Sequence, residues 1–555
     1  MTDMEIRLIK NRGYRWSHNG YDSFKGYFHY DGDDTIYREA TALAELAKVC
    51  DYDGLKDFLR RIDGVYAIVL RRGEEYVFAV DRARTMPLFY STDGRVLSDS
   101  CEEARKTVNI SADCVALPYA MEMYNSDIIT GQNTIYSELK QLDGGQLGKV
   151  SGGVVRMEYY YYNYAEELLA DDKTVLRQKL TACIDTVGQR LSTVIAGRPV
   201  ALSLSGGYDS KLVACMLKKA GVTDVSCFSY GKPDSPQTLE SRKTAAALGF
   251  RWCNVEMTDE LVCDMMDDVA QEYFDYCDTH DYTAYIQNYA AIKYLHDTGW
   301  FKQDSVQLTG ILSDIASGEY IFTEAETKAW TFDAETLARH ILFGSVGHLH
   351  RYATPKPYCD QFLEELRRRI LELPFAVVDY QTFWSAYESL MVLREHSRIY
   401  FQMNRVNEFF GYEWLVPLYD KEFVQLLYSI PAQIRAKREL YVEWLINDIY
   451  SQYNLASKSV DRGFYTGYSV NKTLDNLIHA VGGCLAFVTL HAGIPLRRKI
   501  DQNNHALLEP ILFRKIRYKG RIKYGKAGFT CLLNRYLMEQ RYGSGVIKQV
   551  SEILH

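Results

Sequence analysis

Residues 200–210 read VALSLSGGYDS and run directly into KLVACMLKKAG (211–221). How this junction is read decides the fold. Val200–Leu204 is apolar or small, without proline or charge, which predicts a buried strand. The stretch after Ser210 carries apolar residues at helical spacing, which predicts an amphipathic helix starting near Ser210. Between them sit Ser205, Gly206, Gly207, Tyr208, Asp209 and Ser210. A turn of glycine and serine can direct successive backbone N–H groups inward as an anion nest, and the following helix adds the positive end of its dipole. Glycine lets the backbone come close to phosphate oxygens. Asp209 is out of place among these donors unless Mg²⁺ stands between it and the phosphate, since Mg²⁺ takes one or two carboxylates plus phosphate oxygens. The alternative is an ordinary glycine-rich turn with Asp209 as helix cap. Six restricted positions in a row at a strand–helix junction favour nucleotide binding.

Outward from that turn the texture differs on its two sides. After it come a strand (DVSCFSYG), a helix (around LESRKTAAALG), a short strand (RWCNVEM) and a further strand, SVQL at 305–308, that ends in the turn TGILSD. Alternating strands and helices predict βαβ units and a doubly wound parallel sheet. Before it, a helix is predicted over DKTVLRQKLTACIDTVGQRLSTVI. Residues 1–165 read instead as short strands with turns, including the hairpin YAIVL–RRGEE–YVFAV and one helix, REATALAELAKVC. Beyond about 325 the chain reads as almost wholly helical. Three units follow: 1–165 (α+β), 172–480 (α/β with a helical C-terminal part) and a basic helical extension, 481–555, containing RKIRYKGRIKYGK.

A chain of 555 residues is too long for one ordinary core. Its net charge of -8 argues against a general nucleic-acid binder. The twelve cysteines contain no CxxC pair, which argues against a paired zinc site. Their apolar surroundings, the chain length and the absence of an apolar leader in MTDMEIRLIKNRGYRW point to reduced thiols and a cytoplasmic location. AVGGCLAFVTLHAGIPL (480–496) is the nearest approach to a membrane span, but its glycines, histidine and proline predict a core helix with its exit turn, so no transmembrane segment is expected.

SGGYDS is not a Walker A motif; it resembles the SGGxDS signature of the PP-loop ATP pyrophosphatases. Four blocks extend the likeness to the asparagine synthetase family. LTGILSDIASGEY (308–320) resembles its LSGEGADELFGGY, and FSYGKPDSPQTLESRKTAAALG its second strand and following helix. EWLVPLYDKEFVQLLYSIP (413–431) resembles EARVPFLDHEFVEFALSLP. IDGVYAIVLRRGEEYVFAVDRARTMPLFY (62–90) resembles part of the family's glutamine amidotransferase domain. The resemblance implies an Ntn-like sandwich followed by an adenine nucleotide alpha hydrolase-like sheet, with ATP and Mg²⁺ as cofactors. It assigns Asp209 and Asp314 as magnesium ligands. It places Leu204 and Tyr230 beside adenine and ribose, Thr309 and Gly310 at a backbone contact to the nucleotide, and Ser205, Gly206, Gly207 and Ser210 around the phosphates.

Several positions depart from the family. Its N-terminal catalytic cysteine is missing: the chain starts Met-Thr-Asp-Met and its first cysteine is Cys50. Thr2 offers a hydroxyl nucleophile in principle, but the glutamine-holding segment is also missing, so the amidotransferase-like domain is expected to survive as a scaffold. Ile311 and Ile315 stand where the family has carboxylates, which removes acid–base chemistry there. Asp461 falls on the family's lysine, leaving Lys458 or Arg462 to stabilise leaving pyrophosphate. The expected activity is an amide-forming ligase that adenylates a small-molecule carboxylate and transfers it to ammonia or a substrate amine. Amidation in surface-polysaccharide synthesis, a lasso-peptide cyclase and a β-lactam synthetase-like ligase are competing forms of it. A catalytically silent nucleotide-binding regulator is the reading from another class. The resemblance also admits a homodimer.

Overall fold

The computed structural model describes residues 4–126, 128–258, 260–261, 268–282, 284–286, 288–311, 313–342, 356–455 and 537–554. In the first part, strands β1 (Glu5–Arg7), β2 (Trp16–His18), β3 (Asp22–Tyr30), β4 (Tyr37–Arg38), β5 (Ile62–Arg72), β6 (Glu75–Val80), β7 (Phe89–Ser91), β8 (Val96–Ser98), β9 (Leu139–Gln141), β10 (Gln146–Ser151) and β11 (Val154–Tyr159) form two sheets. One runs β11-β10-β6-β5-β3-β2 with β4 beside β3, the other β1-β8-β7-β9. The two-residue period of β5 explains how they stack. Tyr66, Ile68 and Leu70 pack under helices α1 (Glu39–Leu46) and α2 (Tyr52–Arg60). Ala67 and Val69 point the other way and meet Tyr90 and Leu97 of the second sheet. The outer face of that second sheet is covered by α3 (Cys101–Thr107) and α4 (Leu117–Ser126). The predicted hairpin is β5–β6, closed by the Arg72–Glu75 pair. The helix predicted over REATALAELAKVC stops at Leu46, and a second one, α2, begins after Asp51, whose carboxylate accepts the Gly54 N–H.

The second part opens with α5 (Lys173–Ile195), capped by Asp172. It then builds a five-stranded, all-parallel sheet from β12 (Val200–Ser203), β13 (Val225–Gly231), β14 (Arg251–Glu256), β15 (Val306–Thr309) and β16 (Trp414–Leu415). Helices α6 (Tyr208–Lys219) and α7 (Pro236–Leu248) connect β12, β13 and β14. The strand order is β14-β13-β12-β15-β16. The chain therefore winds outward from β12 in one direction and then returns to β12's other side at β15. Such a reversal opens a crevice at the carboxyl ends of the two central strands, which is where open α/β sheets bind ligands.

Buried ion pairs join the two parts. Arg398 donates to Asp143 (2.7 Å) and lies 2.9 Å from Asp281, Arg369 also pairs with Asp143, and Arg84 lies 3.4 Å from Asp281. Burial alone would raise the Asp143 carboxyl, but the guanidiniums of Arg369 and Arg398 outweigh it and hold the group well below the usual carboxylate range. Breaking one partner of a buried pair costs about 3–5 kcal/mol, so this network fixes how the parts meet.

The C-terminal helix Ser544–Leu554 returns to the first part, where Val550 and Tyr542 join the cluster of Met121, Tyr136 and α4. Tyr542 shares a 2.9 Å hydrogen bond with His280 Nδ1, and Arg541 lies 2.8 Å from Asp278. Burial first, and then the Arg541 charge, push the buried His280 imidazole well below its ordinary value. The folded chain thus keeps it neutral while the unfolded chain protonates it near pH 6.5. Its contribution is full above that pH and is lost as pH falls toward the folded value. Calorimetry is expected to show Tm falling between pH 7 and pH 5, with a shallower fall in His280→Gln. Equal slopes would show that the acid sensitivity lies elsewhere.

Candidate active site

The loop after β12 closes on itself. The Ser205 N–H donates to Ser210 Oγ (3.1 Å), the two serine hydroxyls bond each other (3.0 Å), and the Gly207 N–H donates to Ser205 Oγ (3.1 Å). The helix starts at Tyr208, two residues before the predicted start, with Gly207 as its N-cap and no side-chain cap. Asp209 is therefore not a helix cap. It stands in the first turn, where a carboxylate also favours the helix dipole, and its side chain is free to face the crevice. The Tyr450 hydroxyl steadies the turn by donating to the Tyr208 carbonyl (2.5 Å).

On the other side of the crevice, Thr309 ends β15 opposite Ser203. Gly310 follows, and a Cβ added there would lie 2.3 Å from both Ser210 N and Cα. Only glycine allows the two loops to touch. The short helix Ser313–Ala316 then presents Asp314. Its Oδ2 accepts from the Tyr320 hydroxyl (3.1 Å), while its buried Oδ1 has no hydrogen-bond partner among the described residues. His396 Nε2 stands 3.9 Å from that oxygen, on a π-helical stretch, and burial pushes the His396 imidazole down to about 3.

Residues the sequence reading did not single out complete the cluster. Arg438 Nη2 donates to Asp209 Oδ1 (2.6 Å) and Ser313 Oγ (3.1 Å), and its Nη1 to Glu319 Oε2 (3.0 Å). The Tyr441 hydroxyl reaches Ser313 Oγ (2.9 Å) and Asp209 Oδ1 (3.3 Å). Lys437 and Arg438 both have left-handed backbones (φ 56° and 60°), a conformation that costs roughly 1–2 kcal/mol per non-glycine residue. Gly318 (φ 90°) lies against the Arg435 carbonyl, where a Cβ would come within 2.4 Å, and so brings the Asp314 segment onto this turn. The only sequence signal for Arg438 was the basic run RAKRE after the SIP block.

Acidic side chains gather around one guanidinium here. Burial first and the Asp209 charge second raise the Asp314 carboxyl, with Arg438 opposing. Glu319 is raised by burial as well, and by Asp314 and Asp209, against the pull of Arg438. Arg438 donates to Asp209 and Glu319, and Asp314 Oδ1 is buried without a donor among the described residues. A divalent cation between Asp209 and Asp314 fits both the charge and the oxygen-rich donor set.

The other predicted residues divide. Leu204 has its side chain in the core, while its carbonyl accepts from Ser241 Oγ (2.6 Å). Tyr230 is half-buried near the end of β13, and burial pushes its hydroxyl up to about 12. Ile315 is buried, and Ile311 packs partly buried against the same core. Thr2, Lys458, Asp461, Arg462 and the 480–496 segment lie outside the described residues. No helix among the described residues is long and apolar enough to cross a membrane.

The family model for asparagine synthase matches residues 184–442, the span that holds this crevice. Asparagine synthetase [glutamine-hydrolyzing] of Gallus gallus is 24% identical over 433 residues, covering 73% of this chain and 63% of that protein. The Homo sapiens protein of the same name is 24% identical over 431 residues, covering 74% and 64%. The matches thus span just under two thirds of each relative's length. A solved structure, the glutamine phosphoribosylpyrophosphate amidotransferase from B. subtilis complexed with ADP and GMP, covers 54% of this chain and 57% of its own at 12% identity. Its TM-score of 0.16 carries no fold argument.

Proposed function

We infer, from a chain that belongs to the asparagine synthetase family, an ATP-dependent ligase that forms an amide through an acyl-adenylate. The observation that carries this reading is the crevice between β12 and β15. There a glycine–serine loop touches Gly310, Arg438 and Tyr441 tie Asp209 to Ser313 next to Asp314, and Asp314 Oδ1 has no hydrogen-bond partner among the described residues. In this reading the sheet is a PP-loop sheet and the first part an Ntn-like sandwich that acts as a scaffold.

The substrate carboxylate attacks the α-phosphorus of ATP, the bond to the β-phosphate oxygen breaks, and pyrophosphate leaves. An amine nitrogen then attacks the acyl carbon, the C–O bond to AMP breaks, the nitrogen loses a proton, and the amide is released. Mg²⁺, held by Asp209 and Asp314, would supply charge neutralisation for the phosphates. The start of α6 after the Ser205–Ser210 loop orients the phosphate chain with its first-turn N–H groups and its dipole. Gly310 lets the two loops meet backbone to backbone beside this turn. Tyr320 and Tyr441 fix the carboxylate rotamers through their hydroxyls. In this reading the amine is ammonia or a group on a second substrate. Ile311 and Ile315 pack into the core and offer no carboxylate where the resembling segment has one, which favours an acyl substrate that needs no such contact.

ATP–pyrophosphate exchange with a panel of carboxylic acids tests this reading. Isotope exchange dependent on one acid and on Mg²⁺ is expected. Bound ATP without exchange in the presence of any acid would instead favour the regulatory nucleotide-binding protein.

A further inference from the structure

We propose that Arg438 is a phosphate-binding residue of this site, a guanidinium that pairs with Asp209 and Glu319 and turns to the triphosphate oxygens when a divalent cation takes Asp209. The proposal rests on the nucleotide reading above and adds to it a residue from outside the motif blocks that resemble the family.

Three features support it. Arg438 is aimed into the crevice by two consecutive left-handed residues, an arrangement that local backbone preference disfavours and that must be held by its surroundings. Its planar fork already meets three oxygens through the two Nη atoms, while its buried Nε–H has no hydrogen-bond partner among the described residues. A guanidinium presents donors in the geometry that phosphate oxygens accept, two at a time, which a structural counter-ion to Asp209 would not require. Finally, Asp209 Oδ1 is shared between Arg438 and Tyr441. A cation that takes this oxygen releases Arg438 beside the loop that faces the phosphates. Arginine and metal are therefore competitors for Asp209 before nucleotide arrives and partners around the phosphates afterwards.

The test uses the full chain with Arg438→Met and Arg438→Lys, each verified by its melting curve, and reads binding instead of turnover. ATP affinity with Mg²⁺ is measured by titration calorimetry, and Mn²⁺ affinity without nucleotide by electron paramagnetic resonance. Arg438→Met is expected to weaken Mg·ATP binding about tenfold or more while Mn²⁺ alone binds as tightly as in wild type or more tightly. Arg438→Lys should recover part of the ATP affinity, because it restores the charge without the fork. Unchanged ATP affinity in Arg438→Met overturns the proposal. Equal weakening of ATP and Mn²⁺ in both variants identifies a purely structural arginine and also overturns it. If wild-type protein binds no ATP, the failure lies in the nucleotide reading itself.

Discussion

Asp209→Asn is expected to lower Mg²⁺-dependent AMP release by about a thousandfold or more. The substitution keeps the shape of the side chain and removes the charge that a divalent cation needs. A cation that neutralises phosphates during displacement supplies several kcal/mol of stabilisation, which sets this magnitude. Some loss of Tm accompanies the change, since Asp209 pairs with the buried Arg438, while Glu319 remains as that guanidinium's second carboxylate partner. Single-turnover release of AMP across a Mg²⁺ titration measures it. Retention of the wild-type rate and the wild-type Mg²⁺ dependence would remove Asp209 from the metal site.

Gly310→Ala is expected to be nearly as severe by a different route. The added Cβ would lie 2.3 Å from Ser210 N and Cα and 2.7 Å from the Asp209 carbonyl carbon. All three are backbone atoms, so no side-chain rotation relieves the clash. Either β15 or the start of α6 must shift, and both end the central strands of the sheet. Overpacking of a close backbone contact costs on the order of 1–3 kcal/mol and more where nothing can yield. ATP affinity is expected to fall about a hundredfold, with a lower Tm, because the loop proposed to face the phosphates is what moves. Titration of Gly310→Ala with ATP checks this. Affinity within threefold of wild type would mean that the two loops do not meet as described.

Much of this site could be read from residues that are neighbours in sequence. SGGYDS announces itself because its chemistry is local: strand, turn and helix dipole are set within a dozen residues. Asp314 was found only because a second block, LTGILSDIASGEY, resembles a family segment. Arg438 lies outside the blocks that resemble the family, and Glu319 sits at the end of a block read only for its aspartate. The short second helix α2 was missed because nine residues give too few turns for periodicity to stand out.

The sequence by itself determined the class of the sheet, the position of the strand–helix turn and the carboxylate within it. Each of these depends on hydrophobic period and turn chemistry that act over a few residues. Only the tertiary structure decided what surrounds that carboxylate. Parallel pairing of β12 with β15 brings Gly310 against Ser210 across a hundred residues of chain, and the turn at Lys437–Arg438 delivers a guanidinium from farther still. Side-chain electrostatics depend on distance through space. Residues far apart along the chain can thus form one charge cluster without leaving a pattern in the order of the amino acids.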